Sequence, residues 1–238
     1  MKKLICAILV ACILFALAGC NSRGTSEESK INSSIESNSS NSTNPVAIGT
    51  VSDNSESTSE IEGKIDIKAE PTLDGHYCVF ITNNSDTVVD ELCVQIQYLD
   101  EDGTIIDVDD DLHDMLLPGR TVVSRMDSPP KYDGVKTEFS IELGANPNYV
   151  NHADSIEVTV NKGDECIIVQ ITNNSGVMID EVEYIVVLYK NKDIVSATYP
   201  EDIVDVPTNK TIVSKESTYD IEYDRFEVYI NQAHTFGL

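Results

Sequence analysis

Beyond residue 60 the chain alternates apolar and polar positions with a period of two. Tyr77, Val79 and Ile81 fall on one face, and Leu92, Val94, Ile96 and Tyr98 fall on one face of the next segment. The pattern returns at Ile167, Val169 and Ile171, then at Val182, Tyr184, Val186 and Leu188. Alternation of this kind predicts half-buried β-strands. Turn residues separate the runs: Asn83-Asn84-Ser85, Asp102-Gly103, Pro118-Gly119 and Asp133-Gly134, then Asn173-Asn174-Ser175, Asn191-Lys192-Asp193 and Pro207. No stretch after residue 60 carries a helical period. The expected fold class is all-β, antiparallel, with short strands packed as β-sandwiches.

The pattern also repeats. Tyr77–Asp100 reads YCVFITNNSDTVVDELCVQIQYLD and Ile167–Lys190 reads IIVQITNNSGVMIDEVEYIVVLYK, an offset of 90 residues. Thr121-Val-Val-Ser-Arg125 returns as Thr211-Ile-Val-Ser-Lys215 at the same offset. Two separated matches at one offset indicate a tandem duplication. The expected organisation is one sandwich over residues 61–146 and a second over 151–238. The joint from Gly144 to Asp154 contains Pro147 and is short enough to limit relative motion of the copies.

The first sixty residues follow other rules. Met1-Lys2-Lys3, an apolar run from Leu4 to Ala16 and then Leu17-Ala18-Gly19-Cys20 have the layout of a secretory signal over residues 1–20. The run is shorter than the ~20 residues that cross a bilayer. Leu17-Ala18-Gly19-Cys20 resembles the lipobox of bacterial lipoproteins. That resemblance implies that Cys20 is the lipidation site and first mature residue, anchored at the extracytoplasmic face of the cell membrane. In residues 21–60, 19 of 40 positions are Ser or Asn, too polar to offset the entropy of ordering. This segment is expected to be a disordered linker spanning on the order of 35 Å. The Ile-Thr-Asn-Asn-Ser turn, the strand ending Tyr98-Leu99-Asp100, Asp102-Gly103 and Leu116-Leu117-Pro118-Gly119 resemble the FxLYD-type immunoglobulin-like domains of bacterial envelope proteins. The second copy departs from that pattern at Leu188-Tyr189-Lys190 and has no Gly directly after Pro207.

Charge narrows the partners. The chain carries a formal net charge of −25. Loss of Lys2 and Lys3 with the signal leaves 14 bases against 41 acids, a net of −27. Phosphate backbones and anionic headgroups repel such a chain, so no nucleic-acid partner is expected, and the membrane is expected to be touched only through the N-terminal lipid. Three cysteines lie outside the signal and the lipidation site: Cys78, Cys93 and Cys166. Cys78 and Cys93 lie symmetrically about a turn and would face each other in a tight hairpin. Both, however, fall on the polar phase of their strands, and the second copy has no such pair. Three unpaired, partly buried thiols are therefore favoured over a Cys78–Cys93 disulfide.

Candidate chemistry is sparse. Asp100 to Asp114 holds eight acids and no base, raw material for a Ca²⁺ site, with Asp107, Asp109 and Asp111 on one face of an extended chain. The spacing does not fit an EF-hand and the second copy lacks the run, so a solvated acidic loop is favoured. His76, His113, His152 and His234 are scattered and read as surface imidazoles. There is no Cys-x-x-Cys, Gly-x-Ser-x-Gly or His-Glu-x-x-His pattern and no Trp. Neither catalysis, nor a cofactor, nor a bound metal is expected. One strand is apolar on both faces: Val182–Tyr189 carries Ile185, Val187 and Tyr189 where the first copy has Gln95, Gln97 and Leu99. Such a face is either covered within the protein, with Phe80 of the first copy as a candidate contact, or offers a docking surface. The expected function is a lipid-anchored extracytoplasmic binding module with a protein partner at the cell surface. The alternatives are an accessory subunit of a membrane complex docking through the Ile185 face, or a cation or ligand receptor using the acidic run.

Overall fold

The computed structural model describes residues 57–144 and 149–236. A short helix α1 (Thr58–Glu62) opens the fold, with Glu60 reaching back to accept the Ser57 amide at 2.9 Å. It delivers Ile61 into the first core. Six strands follow: β1 (Ile65–Pro71), β2 (His76–Asn83), β3 (Val89–Leu99), β4 (Ile105–Leu116), β5 (Thr121–Asp127) and β6 (Gly134–Glu142). They form two antiparallel sheets, ordered β1-β2-β5 and β4-β3-β6. The alternating residues Tyr77, Val79 and Ile81 of one sheet meet Leu92, Val94, Ile96 and Tyr98 of the other in one buried cluster.

The second copy continues with β7 (Tyr149–Asn151), a 3-10 turn at Ala153–Ser155, β8 (Ile156–Lys162) and β9 (Cys166–Asn173). Then come β10 (Ile179–Lys190), β11 (Asp193–Ala197), β12 (Glu201–Val206), β13 (Thr211–Ser217) and β14 (Arg225–Phe236). One sheet runs β13-β9-β8; the other runs β11-β10-β14-β7, with β12 also on β10. Ile167, Val169, Ile171, Val182, Tyr184, Val186 and Leu188 fill the core between them. The all-β sandwich architecture is as the alternation requires. The last strand, β14, runs to Phe236.

The residues that recur unchanged hold the sandwiches together. In the first copy the Asn83 amide donates to the carbonyls of Thr87 at 2.8 Å and Leu116 at 3.0 Å, and its oxygen accepts from the Ser85 amide and hydroxyl. Asn173 does the same with Val177, Val206 and Ser175. Gly119, at φ 71°, donates its amide to the Asn83 carbonyl, and Asn209, at φ 55°, donates to the Asn173 carbonyl. Asn209 thus supplies the left-handed position that glycine supplies in the first copy, as asparagine tolerates this region better than most residues. The missing Gly after Pro207 is a substitution within one conserved turn.

Residues Glu56–Leu238 belong to one compact unit rather than separating into two. A third apolar cluster, lying between the copies, accounts for this. Cys78 and Val123, with Phe80 against them, pack on Ile185, Val187, Tyr189, Ile194 and Ala197. The outer face of β1-β2-β5 therefore lies on the outer face of β11-β10-β14, and four sheets stack in sequence. Phe80 meets Tyr229 edge-on at 5.7 Å between ring centres. The two-faced strand at Ile185 is covered from within, and the docking surface that this face was considered to offer is the seam between the copies.

Candidate functional site

Cys20 and the segment through residue 56 lie outside the described residues. The acidic run from Asp100 to Asp114 is a tight turn followed by the edge strand β4, not a loop. Its carboxylates are engaged with backbone amides. Asp100 accepts from the amides of Asp102 and Thr104, while Asp107, Asp109 and Asp111 each accept the amide of the next residue. Asp109 also accepts the Asp127 amide at 2.8 Å. Charges along an edge strand deter pairing with another chain. Among the described residues no group of three or more His, Cys, Asp or Glu is placed to hold a metal ion.

Two histidines expected at the surface are buried. His113 is 4% exposed, its Nε2 lying 2.7 Å from the Ser124 hydroxyl and 3.7 Å from Asp111. Burial lowers the affinity of His113 for a proton, against the opposing pull of Asp111 and Asp114. Asp, His and Ser thus converge, but not as a catalytic triad. Asp111 and Ser124 meet the same ring nitrogen, whereas a triad needs the carboxylate on the opposite one. Ser124 is also wholly buried and inaccessible to a substrate. His234 is buried too, 3.5 Å from Glu181 and edge-on to Tyr149 and Phe236. Cys78 and Cys166 are free and buried, so no Cys78–Cys93 disulfide forms, but Cys93 is not a free thiol, and the expectation of three unpaired thiols holds for these two alone. Burial pushes the Cys78 thiol up to about 12, which leaves it unreactive.

The polar groups of both copies converge at the seam. In β14 the pairing with β10 slips between Glu183, opposite Gln232, and Tyr184, opposite Ile230, leaving Asn231 as an extra residue in a bulge. The equivalent pairing of β3 with β6 runs through without a slip. A bulge redirects its side chain. Here the Asn231 oxygen accepts the Val123 amide at 2.9 Å, and its nitrogen donates to the Val123 carbonyl at 3.0 Å and to Glu183 at 2.9 Å. The amide of one copy therefore pairs with the strand edge of the other as a third strand would. At the opposite end, the amides of Leu73 and Asp74 donate to the carbonyls of Ile194 and Val195, and Ser196 donates to Asp74 at 2.6 Å. The Arg125 guanidinium lies over the Tyr199 ring at 4.0 Å.

A groove of about 440 Å³ opens at the mouth of the seam, floored by Phe80 and Tyr229 and edged by Lys68, Lys192 and Arg225. Two of these cations are already matched, Lys68 by Glu70 and Arg225 by Glu227. Its volume falls within the range of small-molecule sites. Its aromatic edges and paired charges nevertheless single out no ligand class.

Neither Glu183 nor Asn231 is apparent as a functional residue from sequence. Glu183 is one carboxylate in an acid-rich chain. Its one signal is position, on the same strand face as Ile185 and Val187. No protein-family model matches the chain, and no curated protein matches it.

Proposed function

We propose that this protein is a lipid-anchored extracytoplasmic binding module of the bacterial cell envelope, built from two immunoglobulin-like repeats and performing no bond chemistry. The seam is the observation that carries the reading. Both large apolar sheet faces are spent on each other, so the repeats travel as one body whose free surface is polar and acidic. Such a body suits presentation of loops and sheet faces to a partner. Attachment rests on Leu17-Ala18-Gly19-Cys20, with the Ser/Asn-rich segment as spacer. Among the described residues no helix is long and apolar enough to cross a membrane. An accessory role through lateral docking of the Ile185 face has lost its surface to the first copy.

Fractionation of the native cell tests the anchor. The chain is expected in the membrane fraction and Cys20→Ala in the soluble fraction or medium; retention of the variant at the membrane defeats the reading. Crosslinking on intact cells tests the module. A defined surface protein recovered with the wild-type chain supports it, and recovery of nothing from either cells or wall material counts against it.

A further inference from the structure

We propose that the seam between the two repeats is a pH-operated clasp: a proton on Glu183 closes it, and loss of that proton loosens β10 and β14 from β5 without unfolding either sandwich. The inference rests on the seam alone and does not depend on the anchor or on any partner.

The geometry places Glu183 where a charge is disfavoured. It stands on the covered face of β10, in line with Ile185 and Val187, both fully buried. Facing it are Asp111 from β4, Asp202 from β12 and Glu181 on β10 itself, all acids. His113 on β4 is held neutral by burial, and His234 on β14 is turned toward Glu181. The cation of β5, Arg125, is engaged with Tyr199 and Asp127. The hydrogen bond from Asn231 is the favourable contact for an ionised Glu183. Burial outweighs it, and the surrounding carboxylates add to burial, raising the carboxyl to about 7.

Glu183 is also linked directly to the contact that joins the copies. Asn231 binds Glu183 and both backbone groups of Val123 through one amide. The residue that does so is an insertion. Relative to β6, β14 carries one residue more at this point, and that residue is Asn231. The first repeat has no bulge there, so the sandwich fold does not require it. Ionised Glu183 draws water into the seam, and the Asn231–Val123 pairing is the first contact that water competes for. The folded carboxyl is raised above its ordinary value of 4.5, so its contribution is complete below that value and is lost as pH rises through 7.

Hydrogen–deuterium exchange on the full chain in detergent, corrected for intrinsic rates, tests the clasp between pH 5.5 and 8.5. Peptides covering β5 and the Asn231 region of β14 are expected to lose protection by roughly tenfold or more across pH 7, while β3 and β9 hold theirs. Glu183→Gln keeps an oxygen for Asn231 and cannot ionise, so its seam is expected to stay protected throughout. Asp111→Asn removes a facing charge and is expected to move the wild-type midpoint to higher pH only if the clasp is wrong; the clasp requires a move to lower pH. Equal protection of the wild-type seam at both pH values overturns the proposal. So does an undiminished pH response in Glu183→Gln, or loss of protection in β3 and β9 together with the seam.

Discussion

Asn83 and Asn173 show why one short motif survives duplication unchanged. Each is fully buried and satisfies backbone groups from three separate points of its own sandwich. Removing the side chain leaves buried carbonyls and an amide without partners. Asn83→Ala is therefore expected to lower stability by about 2–4 kcal/mol, read from the shift of the urea midpoint. Asn209→Gly should stay within about half a kcal/mol of wild type, because it restores the residue that the equivalent turn uses in the first copy. A large loss there would mean that the Asn209 side chain carries an interaction of its own. The Ile-Thr-Asn-Asn-Ser recurrence, the strongest sequence signal after residue 60, thus reports folding rather than recognition.

Strand β10 is the element on which the molecule turns. One face, with Val182, Tyr184, Val186 and Leu188, builds the core of the second sandwich, and the other, with Ile185 and Val187, builds the seam. Its counterpart β3 has a polar outer face, where Gln97 donates to Gln95 and Glu138. That contrast was legible in sequence as a strand apolar on both sides. What covers it was not legible, because coverage depends on which sheet of the first copy faces it. Ile185→Lys places an unpaired charge in the seam and leaves the inner face of β10 intact. The expected result is a loss of about 3 kcal/mol, with urea unfolding that separates into two transitions as the copies uncouple. One unchanged transition at the wild-type midpoint would show that the seam contributes nothing to stability.

For the whole molecule, the stack is head-to-tail: the β2 and β5 side of one repeat meets the β10 and β14 side of the other. Such an interface can in principle continue into further copies. Here it stops, because the two remaining sheet faces are mainly polar, with Gln95 and Gln97 at one end and Gln170, Thr172 and Lys215 at the other. Titration of the whole molecule brings two buried groups into opposition. His113, whose proton affinity is lowered, contributes stability above its ordinary value of 6.5 that is lost as pH falls. Glu183 contributes stability that is lost as pH rises through about 7. Melting temperature followed from pH 5 to 8.5 is expected to change little up to about pH 6.5, where the two trends oppose, then to fall toward pH 7 and level off. Glu183→Gln should leave a melting temperature that rises with pH up to about 6.5, and His113→Gln one that falls as pH rises toward 7; a variant that shows the other's slope contradicts the assignment.

Sequence by itself determined the period-two strands, the turns between them, the duplication and the two inner cores, since all of these follow from local alternation and from repetition within one chain. It also determined the acidity that disfavours nucleic acid. Only the tertiary structure decided that Asp107, Asp109 and Asp111 lie on an edge strand, that His113 and His234 are buried, and that the Ile185 face is closed by the first copy. Asn231 shows the reason. One inserted residue shifts the register of β14, and its effect exists only where β14 meets β5, a contact between positions 108 residues apart. Local pattern encodes which face of a strand is apolar; the partner of that face is set by how the sheets stack.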